Sequence, residues 1–297
     1  MTEFLQQTAN ALALGSIYAL VALGVAIIFS ILRLANFAHG ELMTAAGYTM
    51  YYMLDRDISW ILVAPVAVLV SILAAVALER IAYRSLRGAR PSTLLLTSFA
   101  VSVVLQSAFL LSFGARPKPI PFPDWVDAGV TIQGIRFQWL DLTTFAVTMS
   151  ILLLLMVFLR GTVLGLALRS AADDFRTTRL MGVRANAIIV GAFVLSGALA
   201  GVSALFFFAL TPVVSPNSGF EPMLQGFVAT VIGGLGNLPA AVIGGFVLAF
   251  VQVACQATLS DTLNPYVQAI VFGIAIAILQ SRPNGIFGGR QIDEVRV

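Results

Sequence analysis

Apolar residues are arranged along this chain in long runs that are separated by short polar segments. Nine runs are candidates for transmembrane helices, because about 20 residues cross the hydrocarbon core of a bilayer. They cover residues 9–32, 38–54, 58–79, 93–113, 142–160, 187–210, 222–238, 240–257 and 264–281. The pattern predicts an all-α, polytopic transmembrane helix bundle with roughly eight or nine spans.

Three of these runs, 38–54, 222–238 and 240–257, are short or rich in glycine. Each is therefore a candidate for a half-helix or a re-entrant segment. Backbone that breaks at membrane depth has to be shielded by protein or line a water-filled cavity. Broken helices in corresponding positions are typical of inverted-repeat transporters, so a function is expected near these runs.

Composition agrees with the pattern, since 59% of the 297 residues are hydrophobic and only 10% are charged. Soluble proteins carry about 25% charged residues. We therefore expect one transmembrane domain over residues 1–297 rather than a soluble enzyme. The first apolar run follows Glu3 instead of positive charges, which is not typical of a cleaved signal peptide. The first helix is expected to be retained.

Arginines cluster after the third, fifth and last apolar runs, and positive residues in short loops stay in the cytoplasm. If every run crosses, all three clusters share one side, which places the N-terminus outside and the C-terminus inside. The longest interruption on the outer side is the loop 114–141, in which four prolines prevent a helix. This loop is either a covering loop or a docking surface for an external partner.

The residue inventory excludes several functions. Lys118 is the only lysine and is followed by Pro119, so the chain has no phosphate-binding P-loop and cannot hydrolyse ATP by that route. A single histidine and a single cysteine leave no His/Cys metal cluster. We predict a non-catalytic protein without a metal site, whose ATPase, if one is used, is another polypeptide.

Polar residues interrupt the apolar pattern between 32 and 47, where Asn36, His39 and Glu41 occur. Ionisable groups at membrane depth are costly and mark transport pathways. A helix that begins there presents backbone amides and a positive dipole end to an anionic group. The alternative is an ordinary turn at the membrane interface, suggested by Arg33, in which Asn36 caps the next helix.

A second informative stretch, 165–183, follows the fifth run and combines small residues with charges at helical spacing. Asp173 and Asp174 can form local ion pairs with neighbouring arginines, and Gly182 is positioned to end a helix. The stretch is either a solvated amphipathic loop or a short helix that fits a groove in a cytoplasmic partner.

At these residues the chain resembles the permease subunits of branched-chain amino acid ABC transporters, of the LivH type. The resemblance covers most of the chain in the right order, and Asn-Phe-Ala-His-Gly-Glu is its most specific motif. The matching segments are Ala13-Leu-Gly-Ser-Ile-Tyr-Ala-Leu20, Leu34-Ala-Asn-Phe-Ala-His-Gly-Glu-Leu-Met43, Leu180-Met-Gly-Val183 and the glycine-rich run from Gly226 to Gly245.

The resemblance implies a multi-pass importer subunit of the bacterial inner membrane. Its partners would be a second permease, two cytoplasmic ATPases that bind ATP and Mg, and an external substrate-binding protein, while this chain would need no cofactor. The segment 165–184 would be the part on which the ATPase acts. The candidate coupling residues are Arg169, Asp173, Asp174, Arg176, Arg179, Met181 and Gly182. Ala171-Ala172-Asp173-Asp174-Phe175 departs from the family pattern, which suggests contacts specific to its own ATPase.

The glycine run 233–236 and Asn237 admit two interpretations. They either pack helices closely or form a second broken helix that pairs with the Asn36–Glu41 break and lines the pathway. On the second interpretation, the candidate pathway residues are Asn36, Phe37, His39, Gly40, Glu41, Gly233, Gly234, Gly236 and Asn237.

Two alternatives to branched-chain amino acid import stay open at this point. The same machinery could import urea or short amides, since related permeases look alike at this level. A stand-alone secondary transporter or channel is a different class, and the scarcity of acidic residues in the runs beyond Glu41 argues against ion coupling.

Overall fold

A computed structural model of the chain describes residues 2–33, 35–86, 89–123, 126, 128–132, 135–173, 175–181, 185–260, 262–282 and 285–287. Within these residues, seven helices are long and apolar enough to cross a membrane. They are Phe4–Leu32, Trp60–Leu86, Ser92–Phe113, Trp139–Gly161, Asn186–Leu210, Leu238–Thr258 and Asn264–Ser281. The predicted polytopic helix bundle is confirmed.

Most helices follow one another with short connections, the one between α4 and α5 being the longest, and the described residues contain two small pairs of strands. In chain order the helices are α1 (Thr2–Leu32), α2 (His39–Leu54), α3 (Trp60–Leu78), α4 (Pro91–Phe113), α5 (Trp139–Gly161), α6 (Val163–Asp173), α7 (Phe175–Leu180), α8 (Ala185–Leu210), α9 (Phe220–Gly233), α10 (Leu238–Thr258) and α11 (Val267–Ser281). A π-helical turn (Glu79–Tyr83) and a 3-10 turn (Arg84–Leu86) extend α3, and a 3-10 turn (Asn264–Tyr266) precedes α11. Strand β1 (Lys118–Pro119) pairs with β4 (Val213–Val214), and β2 (Gly129–Ile132) pairs with β3 (Ile135–Gln138).

Two of the three runs that the sequence marks as half-helix candidates are short helices. Helix α2 has 16 residues and α9 has 14, which at 1.5 Å per residue is about 24 and 21 Å, less than a hydrocarbon core of about 30 Å. The third candidate was wrong: 240–257 lies in α10, a helix of 21 residues that begins at an N-cap and runs without a break. Its glycines serve close packing instead.

Contacts between connections show which ends of the helices lie together. Ile120 N–H donates to the carbonyl of Pro212 at 2.9 Å, and the rings of Trp60 and Phe122 lie 5.1 Å apart. The connections α2–α3, α4–α5 and α8–α9 therefore share one end of the bundle. At the opposite end, Arg33 Nη2 donates to the carbonyl of Ala172 in α6. This end also carries the turn between α9 and α10 and the C-terminal end of α11, where Ile286 N–H donates to a carbonyl of α9.

Helix α1 is the central element, because the most apolar part of it is 83% buried. It packs against α5, α8, α9 and α10. Small residues allow close approach of helix backbones in membranes, and here the Gly245 position of α10 lies against the backbone of Ala19. Gly197 and Gly201 of α8 lie in the same way against α3. The bundle core thus fixes α1 and leaves α4 and α5 at the periphery.

Candidate functional site

Helices α2 and α9 begin next to each other in the centre of the bundle and run toward opposite ends. The backbones of Gly40 and Gly219 touch, so that a Cβ added at either would overlap the carbonyl of the other. The N–H of Gly219 donates to Thr44 Oγ1 at 3.0 Å. The first turns of two helices, with their positive dipole ends, are therefore held together inside the protein by residues that have no room for a side chain.

The two helix starts are built alike. The carbonyl of Asn36 accepts a hydrogen bond from His39 N–H at 3.1 Å, and the carbonyl of Asn217 accepts one from Phe220 N–H at 3.1 Å. In each case an asparagine lies three residues before the first helical residue. From these similar first turns the two helices run in opposite directions.

His39 connects α2 to α1 and α8. It is completely buried, and its Nδ1 lies 3.0 Å from Ser196 Oγ. The Ser196 hydroxyl donates to the carbonyl of Gly24 at 3.0 Å, so its oxygen is left to accept a hydrogen bond from the Nδ1–H of the ring. The imidazole fills the space left by the missing side chain of Gly24. This histidine fixes the position of the break against the central helix.

Asn36 is buried and is held by its side chain to α3. Its Oδ1 accepts a hydrogen bond from the Tyr83 hydroxyl at 2.6 Å, and its Nδ2 has no hydrogen-bond partner among the described residues. The residue before α2 is Ala38, and no side chain caps the helix there. The part of the alternative in which Asn36 caps α2 was therefore wrong.

Glu41 is held by a polar stripe on α4. Its Oε1 accepts hydrogen bonds from Ser102 Oγ at 2.9 Å and Gln106 Nε2 at 2.8 Å, and Oε2 has no partner in the part of the chain that the structure describes. One turn earlier on the same face of α4, Ser98 donates to the carbonyl of Ala35. The carboxyl is only 1% exposed. It therefore belongs to the buried joint between α2 and α4 and does not face solvent.

The remaining predicted residues of this break, Phe37 and Gly40, have different roles. Gly40 forms the contact with Gly219 between the starts of α2 and α9, which is called the helix crossing below. The ring of Phe37 lies 6.2 Å from that of Phe99 and 5.7 Å from that of Phe227. These three aromatic rings form an apolar surface beside the polar helix starts.

The structure does not bring the second predicted break to the first. Gly233, Gly234, Gly236 and Asn237 lie in the turn between α9 and α10, at the end of the bundle where α11 finishes. Asn237 is an N-cap, because its side chain accepts from the N–H of Ala240 at 3.2 Å. Gly236 has a left-handed backbone with φ of 88° and lies near Arg33.

The partner of the Asn36–Glu41 break is instead the segment 215–219. Sequence analysis missed it because the apolar run was taken to begin at 222. A usable signal was present, since Pro216, Asn217 and Gly219 occur together between two apolar helices and such residues interrupt a helix.

The predicted coupling stretch forms two short helices at the end of the bundle that carries Arg33. Thr162 Oγ1 accepts from Gly165 N–H at 2.9 Å, an N-cap that starts α6. Leu168 and Ala171 are buried against the bundle. The short-helix alternative was therefore the better one for residues 163–173 and 175–180.

The structure describes most of the coupling candidates, and two of them, Arg169 and Met181, are exposed. Arg169 is exposed and lines, with Arg160, a cavity of about 450 Å³ between α1, α5, α6, α8 and residues 236–239. Met181 is also exposed. The backbone is helical at Asp173, Arg176 and Arg179, whereas Asp174 and Gly182 lie outside the described residues.

A polar cluster that sequence analysis did not single out lies beside the start of α9. Glu221 is exposed, and its Oε1 lies 3.5 Å from Nε2 of the buried Gln225. Glu221 lies near Tyr18 of α1, and the Tyr18 hydroxyl donates to Gln252 Oε1 at 2.8 Å. Hence α1, α9 and α10 bring a carboxylate and three neutral polar groups together.

Comparison with known proteins gives a match over nearly the whole chain. Residues 7–279 match the family described as branched-chain amino acid transport system / permease component. The high-affinity branched-chain amino acid transport system permease protein BraD of Pseudomonas aeruginosa is 32% identical, over 99% of this chain and 98% of its own length. The corresponding protein LivH of Escherichia coli is 30% identical over 98% of both chains. No solved structure matches the chain.

Family and fold together decide between the classes that the sequence left open. The relatives are named as transport permeases, and the chain is accordingly a non-catalytic, multi-pass membrane component of an ABC transport system. The match favours the branched-chain amino acid interpretation over urea import and over a stand-alone transporter. The chain belongs to the family of permease components of branched-chain amino acid transport systems.

Proposed function

We propose that this chain forms one half of the translocation pathway of an ATP-driven importer for branched-chain amino acids. The observation that carries the proposal is the meeting of α2 and α9 in the bundle centre, where two helix starts face each other at Gly40 and Gly219. Helix starts bind anionic groups, and in transporters with broken helices they are found at the substrate site.

The surroundings of this crossing suit an aliphatic amino acid. The substrate carboxylate would lie at the helix starts, near the buried amide Nδ2 of Asn36, a donor that has no partner among the described residues. The aliphatic side chain would pass along the aromatic surface of Phe37, Phe99 and Phe227. Apolar walls with a few fixed polar groups are the usual composition of a small-molecule site.

The proposed partners are a second permease subunit, two cytoplasmic ATPases that bind ATP and Mg, and an external substrate-binding protein. Helices α6 and α7 would contact an ATPase, because Leu180 and Met181 are highly exposed apolar residues beside the arginines of this segment. Arg33 supports a route for coupling. It begins the break before α2 and donates to the carbonyl of Ala172 in α6.

The proposed orientation in the inner membrane follows from the basic residues. If successive helices alternate in direction, the end of the bundle where α6 lies carries five arginines: Arg80, Arg84, Arg160, Arg169 and Arg282. Positive residues mark the cytoplasmic side. The N-terminus would then be outside and the C-terminus in the cytoplasm.

Reconstitution tests the proposal directly. The tagged chain would be purified from native membranes, co-purified proteins identified by mass spectrometry, and uptake of labelled leucine measured in proteoliposomes with and without ATP. We expect two ATPases and a sister permease, with uptake that requires ATP and the binding protein and that excess urea does not reduce. Uptake by the chain alone, without ATP, would contradict the proposal.

A further inference from the structure

Glu221 is an exposed carboxylate at half the depth of the bundle. Gly226, one turn further along α9, packs on Val21 of α1, and the hydroxyl of Thr230 donates to the carbonyl of Ala22 at 3.1 Å. Tyr18, which lies near Glu221, is midway along α1. The side chain of Glu221 is thus exposed where the surrounding helices cross the hydrocarbon core.

A carboxylate at this depth cannot be left against lipid, because charged groups in the hydrocarbon region are costly and face a water-filled cavity or a partner. Its neighbours Gln225, Tyr18 and Gln252 offer neutral hydrogen-bonding groups only. The sequence contains no lysine or arginine between residues 185 and 281, which includes the whole of α9 and α10. The compensating positive charge therefore has to come from outside these helices.

The two glutamates beside the helix crossing differ in availability. Glu41 is enclosed, and Ser102 and Gln106 occupy one of its oxygens. Glu221 has a single weak contact within the described residues, at 3.5 Å to Gln225, and is open on its other side. Glu41 therefore holds α4 in place, whereas Glu221 is free to bind a ligand that passes.

From this contrast we infer that Glu221 binds the ammonium group of the transported amino acid as it passes the centre of the membrane. The inference rests on the proposed function and adds the site for the positive end of the substrate. A zwitterionic substrate needs complementary charge at both ends, and the helix starts at Gly40 and Gly219 provide only the site for its carboxylate. The positive charge of an ammonium group bound between Glu221, Gln225 and Tyr18 would compensate the negative charge of the Glu221 carboxylate while the substrate passes.

The test uses the complete transporter with Glu221→Gln, which keeps the shape of the side chain and removes its charge. Leucine imported per ATP hydrolysed should fall about tenfold or more, the factor for losing one hydrogen bond to a charged group. Glu221→Asp, which keeps a carboxylate, should recover part of the loss. Asp55→Asn removes an exposed carboxylate at the outer end of α2 and should leave import per ATP unchanged.

The outcomes separate this inference from the proposed function. Normal leucine import by Glu221→Gln would overturn the ammonium site while leaving the importer assignment intact. Loss of the sister permease from the purified Glu221→Gln complex would also overturn it, because Glu221 would then pair with the partner subunit. Failure of the unsubstituted complex to import leucine with ATP would refute the proposed function itself.

Discussion

The contact between Gly24 and His39 makes a quantitative prediction about how the break is fixed to α1. A Cβ added at Gly24 would lie 2.5 Å from Cε1 and 2.7 Å from Nε2 of the imidazole. Because both α1 and α2 are packed on other sides, neither group can move away freely. Gly24→Ala should therefore overpack the core, which costs about 1–3 kcal/mol in free energy of unfolding.

The change from glycine to alanine also alters helix propensity, by up to about 1 kcal/mol in favour of alanine. Gly191→Ala, in the interior of α8, measures that term alone, since a Cβ there has nothing within 4 Å. The difference between the two substitutions is then the steric cost. In a His39→Ala background the imidazole is gone, and Gly24→Ala should differ little from Gly191→Ala.

The measurement is a double-mutant cycle, with unfolding of the purified protein in mixed micelles followed by circular dichroism during titration with sodium dodecyl sulfate. The interaction free energy between Gly24→Ala and His39→Ala should have a magnitude of about 1–3 kcal/mol, equal to the relieved overlap. Additive effects would refute the reasoning, because the cost at Gly24 would then arise from something other than the His39 ring.

Three further substitutions test the elements around the helix crossing. Gly219→Ala would place its Cβ against the carbonyl of Gly40. It should lower the free energy of unfolding by about 1–3 kcal/mol and reduce uptake in proteoliposomes. Tyr83→Phe removes the 2.6 Å hydrogen bond to Asn36 Oδ1; it leaves a buried acceptor unsatisfied, and should cost about 1–3 kcal/mol in the same unfolding titration. Arg33→Gln weakens the contact with α6. It should lower the rate of leucine import more than the rate of ATP hydrolysis. Gly273→Ala, with open space around its Cβ, is the matched control for Gly219→Ala. Equal stability and uptake for Gly219→Ala and Gly273→Ala would count against the helix crossing. An unchanged unfolding midpoint for Tyr83→Phe would count against the contact with Asn36. A parallel fall in import and ATP hydrolysis for Arg33→Gln would count against the coupling route.

Much of the fold was determined by the sequence because membrane crossing depends on local properties. A run of about 20 apolar residues is long enough to span, whatever the rest of the chain does. The runs from 9–32 to 264–281 all became helices, and the short runs 38–54 and 222–238 became the short helices α2 and α9. The run 240–257 was misjudged because glycines in a membrane helix serve packing as readily as they break a helix.

The site could be predicted only in part. The polar residues Asn36, His39 and Glu41 stand out in an apolar stretch, so their importance is visible in the sequence alone. Their partner break was missed, although Pro216, Asn217 and Gly219 occur together, because the next apolar run was taken to begin at residue 222. The pairing of Asn36 with Asn237 was chosen on residue type, but the structure makes Asn237 the N-cap of α10, beyond the end of α9 that is distant from Gly219.

What only the tertiary structure decided concerns residues that are distant along the chain. Gly219 and Thr44 share a hydrogen bond across 175 residues of sequence, and no local pattern encodes which of several polar breaks will meet. The different exposures of Glu41 and Glu221 have the same origin. Each glutamate lies in the first turn of its helix. Whether its carboxylate is enclosed by a neighbour such as α4 or left open depends on how the helices pack, and many long-range contacts together determine that packing.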